Sequence, residues 1–459
     1  MNAGSRGPER GAGRPGAGQA GGRTVQSEAA ATLAYNVVAL FAGAVTNVIV
    51  ARALGPTGKG ILSLINYAVF VAAQIGLLGM PAASIQLIGK GRHGKGEVAA
   101  AVTIVALAAG VVCGLAVWLL LPRYAGTIPL TSGMVAAAAI LVLPSLLRGD
   151  LSGIFMALGR IRAYNLAYAL PTIVWTAVAF VLLVPMHGTV EQAVLAWAAL
   201  QALGGLGTLA WAFRMAPPRF RLEELGPTIR AAFAFGLPAW AATLIWVLVM
   251  RIEGFVLAAY RDAAEVGLYS VAVLIAEVLL NVPRAMNVSL NRRFAAGEGE
   301  SVGRLARRAS GNGVVLVLIG AVAAAALAPF VVPLLFGSDF RGSVGPLWVL
   351  LPGTVILAFA TPLSLYLLQQ KGKPAWTGAA SFAGLVANVA FCFLWIPRYG
   401  ALGAAAASTA GYAGHAILIA ILFQRSTGVA WSRMVMVERQ DVRLWLDTAL
   451  KFLRIGRGR

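Results

Sequence analysis

Twelve long apolar runs fill this 459-residue chain, and almost every lysine and arginine falls in alternate gaps between them. A run of about 20 apolar residues spans the hydrocarbon core of a bilayer as a helix, because lipid admits only segments that satisfy their own backbone polar groups. The runs predict spans at 33–53, 61–88, 97–121, 131–157, 164–184, 190–213, 233–259, 267–290, 312–336, 344–369, 375–396 and 401–424. With 59% hydrophobic and 12% charged residues, the chain has too few charges to cover a water-soluble surface. The predicted class is an all-α polytopic membrane protein.

The cations sort by side. Of 37 lysines and arginines, 28 lie in the two tails and the even-numbered gaps. Six lie in the odd-numbered gaps: Arg52, Lys59, Arg123, Arg261, Arg341 and Arg398. The remaining three, Arg148, Arg251 and Arg284, lie inside spans. Positive residues accumulate on the cytoplasmic side, which predicts cytoplasmic termini and a multi-pass protein of the cell inner membrane. The net charge is +20, most of it on one membrane face, which selects anionic headgroups as partners and argues against nucleic acid.

The expected organisation is a disordered basic tail at 1–30, a six-helix bundle at 31–213, a cytoplasmic linker at 214–232, a second six-helix bundle at 233–424 and a basic tail at 425–459. In the last segment Val442, Trp445, Leu446, Ala449, Leu450 and Leu453 recur at helical spacing among arginines and a lysine. That pattern predicts an amphipathic helix lying on the cytoplasmic leaflet. Cys113 and Cys392 are isolated in mid-span, and His93, His187 and His415 lack ligand-spaced partners, so no metal or cofactor is expected. The string Leu54-Gly55-Pro56-Thr57-Gly58-Lys59-Gly60 lacks the spacing of a phosphate loop and reads as an outer turn. Without a nucleophile and base or an acidic cluster, an enzyme is not expected.

The halves repeat. Gly60-Ile61-Leu62-Ser63-Leu64 parallels Gly267-Leu268-Tyr269-Ser270-Val271, and Val184-Pro185-Met186-His187-Gly188 parallels Ile396-Pro397-Arg398-Tyr399-Gly400. Six spans return a chain to its starting side, so the repeats are parallel and related by an axis along the membrane normal. Transporters built this way place the substrate path between the halves.

Ionisable residues at bilayer depth are costly and mark cavities or partners. The candidates are Arg148 and Asp150 in span 4, Arg251 and Glu253 in span 7, and Glu277 and Arg284 in span 8. Arg251 and Glu253 lie about ten residues in from Arg261, roughly 15 Å at the helical rise, near the midplane. Two apart, they point in different directions, and each must find a partner on another helix, in water or in a substrate. Glu277, Asn281 and Arg284 share one face, where Glu277 either meets Arg251 or pairs along its own helix with Arg284. Arg148 shares a face with Ser145 and Ser152, and Asn36, Gly43 and Asn47 align on span 1. Pro81, Pro144, Pro171, Pro238, Pro283 and Pro352 permit kinks, with Pro238 expected to bend span 7 beneath Arg251 and Glu253.

Each half opens on strings that carry a resemblance. These are Asn47-Val48-Ile49-Val50-Ala51-Arg52-Ala53-Leu54-Gly55-Pro56 with Gly60-Ile61-Leu62-Ser63-Leu64, then Phe235-Gly236-Leu237-Pro238 and Val266-Gly267-Leu268-Tyr269-Ser270-Val271-Ala272. Over roughly 30–430 the chain resembles polysaccharide flippases of the multidrug/oligosaccharidyl-lipid/polysaccharide exporter (MOP) superfamily. The resemblance implies two bundles around a central cavity and movement of an undecaprenyl-pyrophosphate-linked oligosaccharide between leaflets, with a glycan polymerase or glycosyltransferases as further partners. Guanidinium suits pyrophosphate, so Arg251, Arg148, Arg284, Arg52, Asn36 and Asn47 are the expected substrate-binding residues, and Glu253, Glu277 and Asp150 the ion-coupling candidates. The alternatives are a cation-coupled multidrug exporter of the same superfamily, a lipid-linked peptidoglycan-precursor flippase, a membrane polysaccharide polymerase or ligase, and a non-transporting scaffold. The peptidoglycan-precursor group is expected to carry two further spans, and a polymerase a large external loop.

Overall fold

Two glycines double back two of the longest helices. The computed structural model of the chain describes residues 17–296 and 300–434. In order, the helices are α1 (Ala17–Gly76), α2 (Met80–Gly89), α3 (Lys95–Tyr124), α4 (Ser132–Ala157), α5 (Ile161–Leu183), α6 (Val190–Met215), α7 (Leu222–Val249), α8 (Ile252–Tyr260), α9 (Ala263–Leu279), α10 (Asn281–Ala296), α11 (Glu300–Phe336), α12 (Val344–Gln369), α13 (Pro374–Thr427) and α14 (Trp431–Met434). Among the described residues ten helical segments are long and apolar enough to cross a membrane, and no strand occurs.

α1 and α13 hold 60 and 54 residues, far more than one bilayer crossing needs. Each contains one residue outside helical geometry, Gly55 at φ 64° and Gly400 at φ 54°. A side chain in that left-handed region costs about 1–2 kcal/mol, so glycine takes both positions. Beyond Gly400 the helix returns along itself, with Gly411 against Asn388 and Gly384 against His415. Both reversals fall in gaps that the apolar runs predict.

Three differences from the sequence expectation concern helix continuity. First, α1 begins at Ala17, inside the segment expected to be a disordered tail. The alanine-rich stretch before Leu33 has high helix propensity and extends the first span backwards. The expected amphipathic helix at 442–453 lies outside the described residues. Second, the second, seventh and eighth predicted spans are each broken. α1 gives way to α2 at Leu78 and Gly79, which have φ of 46° and 80°, just before Pro81. α9 gives way to α10 at Leu280, just before Pro283. Third, α7 continues through Pro238, and the seventh span is interrupted at Met250–Arg251. Neighbouring helices re-satisfy carbonyls freed inside a membrane helix, and the break is served that way, because Asn388 Nδ2 donates to the Val249 carbonyl at 2.9 Å.

Packing differs between the two ends. At the end carrying the odd-numbered gaps, Ile61, Leu64 and Ile128 of the first half share one core with Val266, Phe336 and Phe340 of the second. At the basic end the cores are separate. One holds Leu87, Leu151 and Phe155 with Ala232 of α7, and the other holds Phe294, Tyr366 and Phe423. Where the halves join, Gly60 and Gly267 meet, so close that a side chain on either would run into the Ala263 or the Pro56 carbonyl. These are the glycines that open the two matching strings, brought face to face. Arg52 adds a polar tie at the same end, donating from Nε to the Leu335 carbonyl at 2.8 Å and from its terminal nitrogen to the Leu334 carbonyl. Carbonyls near the end of α11 have few helical partners, and a cation is the right group to meet them.

Candidate functional site: a charged cavity between the halves

A cavity of about 360 Å³ is lined by both halves. The first leg of α1 contributes Asn47, and its returning leg contributes Lys59, Ser63, Asn66 and Tyr67. Trp175 comes from α5, Trp197 and Gln201 from α6, Arg251 from the break before α8, and Ser270 and Glu277 from α9.

The break places Arg251. Its backbone, at φ −138° and ψ −14°, leaves the helix, so the side chain swings towards α9 and off the line of α7. Arg251 Nη1 donates to Glu277 Oε1 at 2.6 Å, and the guanidinium lies 5.9 Å from the Tyr67 ring centre and 5.8 Å from that of Phe70. Side-chain exposures of 22% for Arg251 and 29% for Glu277 keep the pair in contact with the cavity. The expected meeting of Glu277 with Arg251 is therefore present, and no pairing of Glu277 with Arg284 occurs among the described residues. Asn281 donates to the Val278 carbonyl at 3.1 Å.

Glu253 faces the other way. It is 2% exposed and accepts from the Tyr269 hydroxyl at 3.0 Å, which sits 3.0 Å from Ser408 Oγ. Its second oxygen has no hydrogen-bond partner. Asp150 is buried within the first half, and neither of its carboxyl oxygens is partnered. Arg148 reaches the cavity indirectly, donating to Gln201 Oε1 at 2.7 Å beside the Tyr168 ring. Arg284 lines a second cavity of about 390 Å³ between α7, α10, α12 and α13, with Asn287 and His415. Asn36 is exposed, and Arg52 is committed to the α11 carbonyls. Asn47 lines the central cavity and donates to the Gly43 carbonyl at 2.8 Å.

Lys59 is the residue that sequence reasoning missed. Treated as part of an outer turn, it is 7% exposed and lies in the cavity wall, with Nζ 3.0 Å from Ser63 Oγ. A signal was available: Lys59 is the sole lysine among the six cations of the odd-numbered gaps, and Ser63 stands four residues on, one turn along the same face. Gln201 and the two tryptophans carry no signal of this kind, since amide and aromatic residues in spans are common.

Chemically, the cavity offers ammonium and guanidinium donors, a carboxylate, amides and indole faces. Charged donors favour phosphate or carboxylate, and indole faces favour the apolar faces of sugar rings or cations.

A family model described as "Polysaccharide biosynthesis protein" matches residues 26–290. No curated protein sequence matches the chain. Among solved structures, the fold is similar to an inward-facing multidrug resistance MATE family transporter of the MOP superfamily. The TM-score is 0.72 at 15% identity, covering 85% of this chain and 94% of that one. An outward-facing conformation of a MATE family transporter gives 0.58 at 16% identity, covering 87% and 95%. The lipid II flippase MurJ, in an inward closed conformation, gives 0.66 at 11% identity, covering 88% and 89%. At these identities the likeness carries the fold.

Proposed function

We propose, from the premise that the chain belongs to the polysaccharide biosynthesis protein family, that it moves a polyprenyl-pyrophosphate-linked oligosaccharide across the cytoplasmic membrane. The observation that carries this reading is the cavity between the halves, with Lys59 and Arg251 in its wall and amides and indoles around them. The undecaprenyl carrier follows the sequence resemblance. Ten long apolar helices, two of them folded back on themselves, support twelve crossings with both termini on the basic, cytoplasmic side.

The packing supports alternating access in an inward-facing state. One core shared by both halves holds the end of the odd-numbered gaps together, while at the basic end the two cores are separate and the halves touch where α7 packs on α2 through Gly236 and Gly79. The higher similarity to an inward-facing than to an outward-facing relative agrees. Export then requires the sealed end to part at Gly60 and Gly267 while the basic end closes. The helix breaks at Leu78, Arg251 and Leu280 lie on the helices that face the partner half, where such motion needs hinges.

Leaflet-resolved labelling of lipid-linked glycan in cells depleted of the protein tests the reading. The expected result is accumulation on the cytoplasmic leaflet. Normal inversion with failed chain growth would assign the protein to polymerisation or scaffolding instead.

A second reading, cation-coupled export of a drug-like substrate, is favoured by one observation: Glu253 is a buried carboxylate with one oxygen unpartnered. It accepts a hydrogen bond from Tyr269 and stands in the first turn after the break at Arg251, so an ion or proton there would bias the break. Glu253→Gln keeps the shape and removes the charge. Export that loses its dependence on pH or sodium in this variant assigns coupling to Glu253, whereas an unchanged dependence makes the carboxylate structural.

A further inference from the structure

We propose that Lys59, and not Arg251, is the residue that recognises the phosphate anion of the cargo, at the sealed end of the cavity. The inference deepens the transport reading and rests on it for the identity of the cargo. Arg251 enters the cavity already neutralised, since Glu277 holds it at 2.6 Å. No carboxylate pairs with Lys59 among the described residues, and its hydrogen-bond partner is one neutral hydroxyl, Ser63 at 3.0 Å. The charged groups in the wall are Lys59, Arg251 and Glu277, so the cavity's uncompensated charge is the ammonium of Lys59.

Such an ammonium is costly where it stands. A buried cation loses hydration that one hydroxyl does not replace, and two of its three hydrogens remain free for a ligand. Its position sharpens the point. Lys59 lies in the first turn of the leg that begins after Gly55, the positive end of a helix, where a cation is the wrong sign and an anion the right one. An anion in the cavity, seated against Lys59 beside Ser63, supplies the missing partner. Phosphate and pyrophosphate have the charge and the several acceptor oxygens required.

The same residue adjoins the seal. Gly60 follows Lys59 and touches the second half at Ala263. Cargo held by Lys59 is therefore in place when Gly60 and Gly267 separate, and it leaves on the side where that leg becomes exposed.

The test titrates the full chain, in nanodiscs of neutral lipid, with inorganic pyrophosphate and with farnesyl pyrophosphate, and compares nanodiscs containing phosphatidylglycerol. The native protein is expected to bind both pyrophosphates. Lys59→Met is expected to bind them roughly 10- to 100-fold more weakly, the loss of one charge-assisted hydrogen bond, and Lys59→Arg to restore binding. Lys59→Met is also expected to melt no lower than the native protein, because it removes an unpaired buried charge. Equal affinity in Lys59→Met, or a melting point below native, overturns the proposal. Lys59-dependent response to phosphatidylglycerol alone would uphold a phosphate site at Lys59 while removing lipid-linked glycan as its cargo.

Discussion

Export of lipid-linked glycan is expected to fall at least about tenfold in Arg251→Ala, with folded protein retained in the membrane. The ion pair with Glu277 explains both halves of that expectation. Each partner keeps contact with the cavity, at 22% and 29% exposure, so water can replace the lost guanidinium and the fold survives. The cavity wall loses the guanidinium that neutralises Glu277 beside the rings of Tyr67 and Phe70, so an anionic cargo meets a bare carboxylate. A charge-assisted hydrogen bond is worth about 1.5–3 kcal/mol, which corresponds to tenfold or more. Leaflet-resolved glycan labelling, normalised to protein level, reads the effect, and undiminished export at normal abundance rejects the role. Adding Glu277→Gln separates two cases. Recovery in the double variant makes the arginine a neutraliser of Glu277, and continued loss makes it a contact for the cargo or a part of the gate.

Gly267→Val is expected to prevent closure of the sealed end. The helix containing Gly267 lies so close to the Pro56 carbonyl that any Cβ must displace backbone, which no rotamer change can relieve. Overpacking of this kind usually costs about 1–3 kcal/mol, and here the strain vanishes as soon as the halves part. The variant therefore shifts the population towards the state open at the end of the odd-numbered gaps. A cysteine in place of Asn47, which lines the cavity, reports the shift in a background lacking Cys113 and Cys392. Membrane-impermeant thiol reagent added outside should label it in Gly267→Val and leave it unlabelled otherwise. No difference in labelling, with both proteins folded, would show that the contact between Gly60 and Gly267 does not hold the seal.

The relation between these glycines also shows how far a linear pattern reaches. Gly60-Ile61-Leu62-Ser63-Leu64 and Gly267-Leu268-Tyr269-Ser270-Val271 are recognisable as equivalents because each marks the start of the second span of its half. Nothing in the strings says that their glycines touch, since that follows only when the halves face one another. Arg251 and Glu253 illustrate a subtler limit. Their spacing correctly denies them each other, but their separate destinations depend on a helix break that no proline marks in the sequence. The break lies at Met250–Arg251, where Asn388 meets the freed Val249 carbonyl. Similarly, Arg52 sits in a family-like string and Lys59 in an unremarkable turn, yet the first is tied to carbonyls of α11 and the second lines the cavity.

Local composition by itself determined the helical membrane class and the positions of the apolar segments, because hydrophobic transfer acts on each segment independently of its neighbours. Only tertiary structure decided which buried charges are paired, which face a cavity and where the helices break. Those outcomes depend on what another helix, hundreds of residues away, presents at the same depth. In a medium that solvates no polar group, the partner determines the state of the charge.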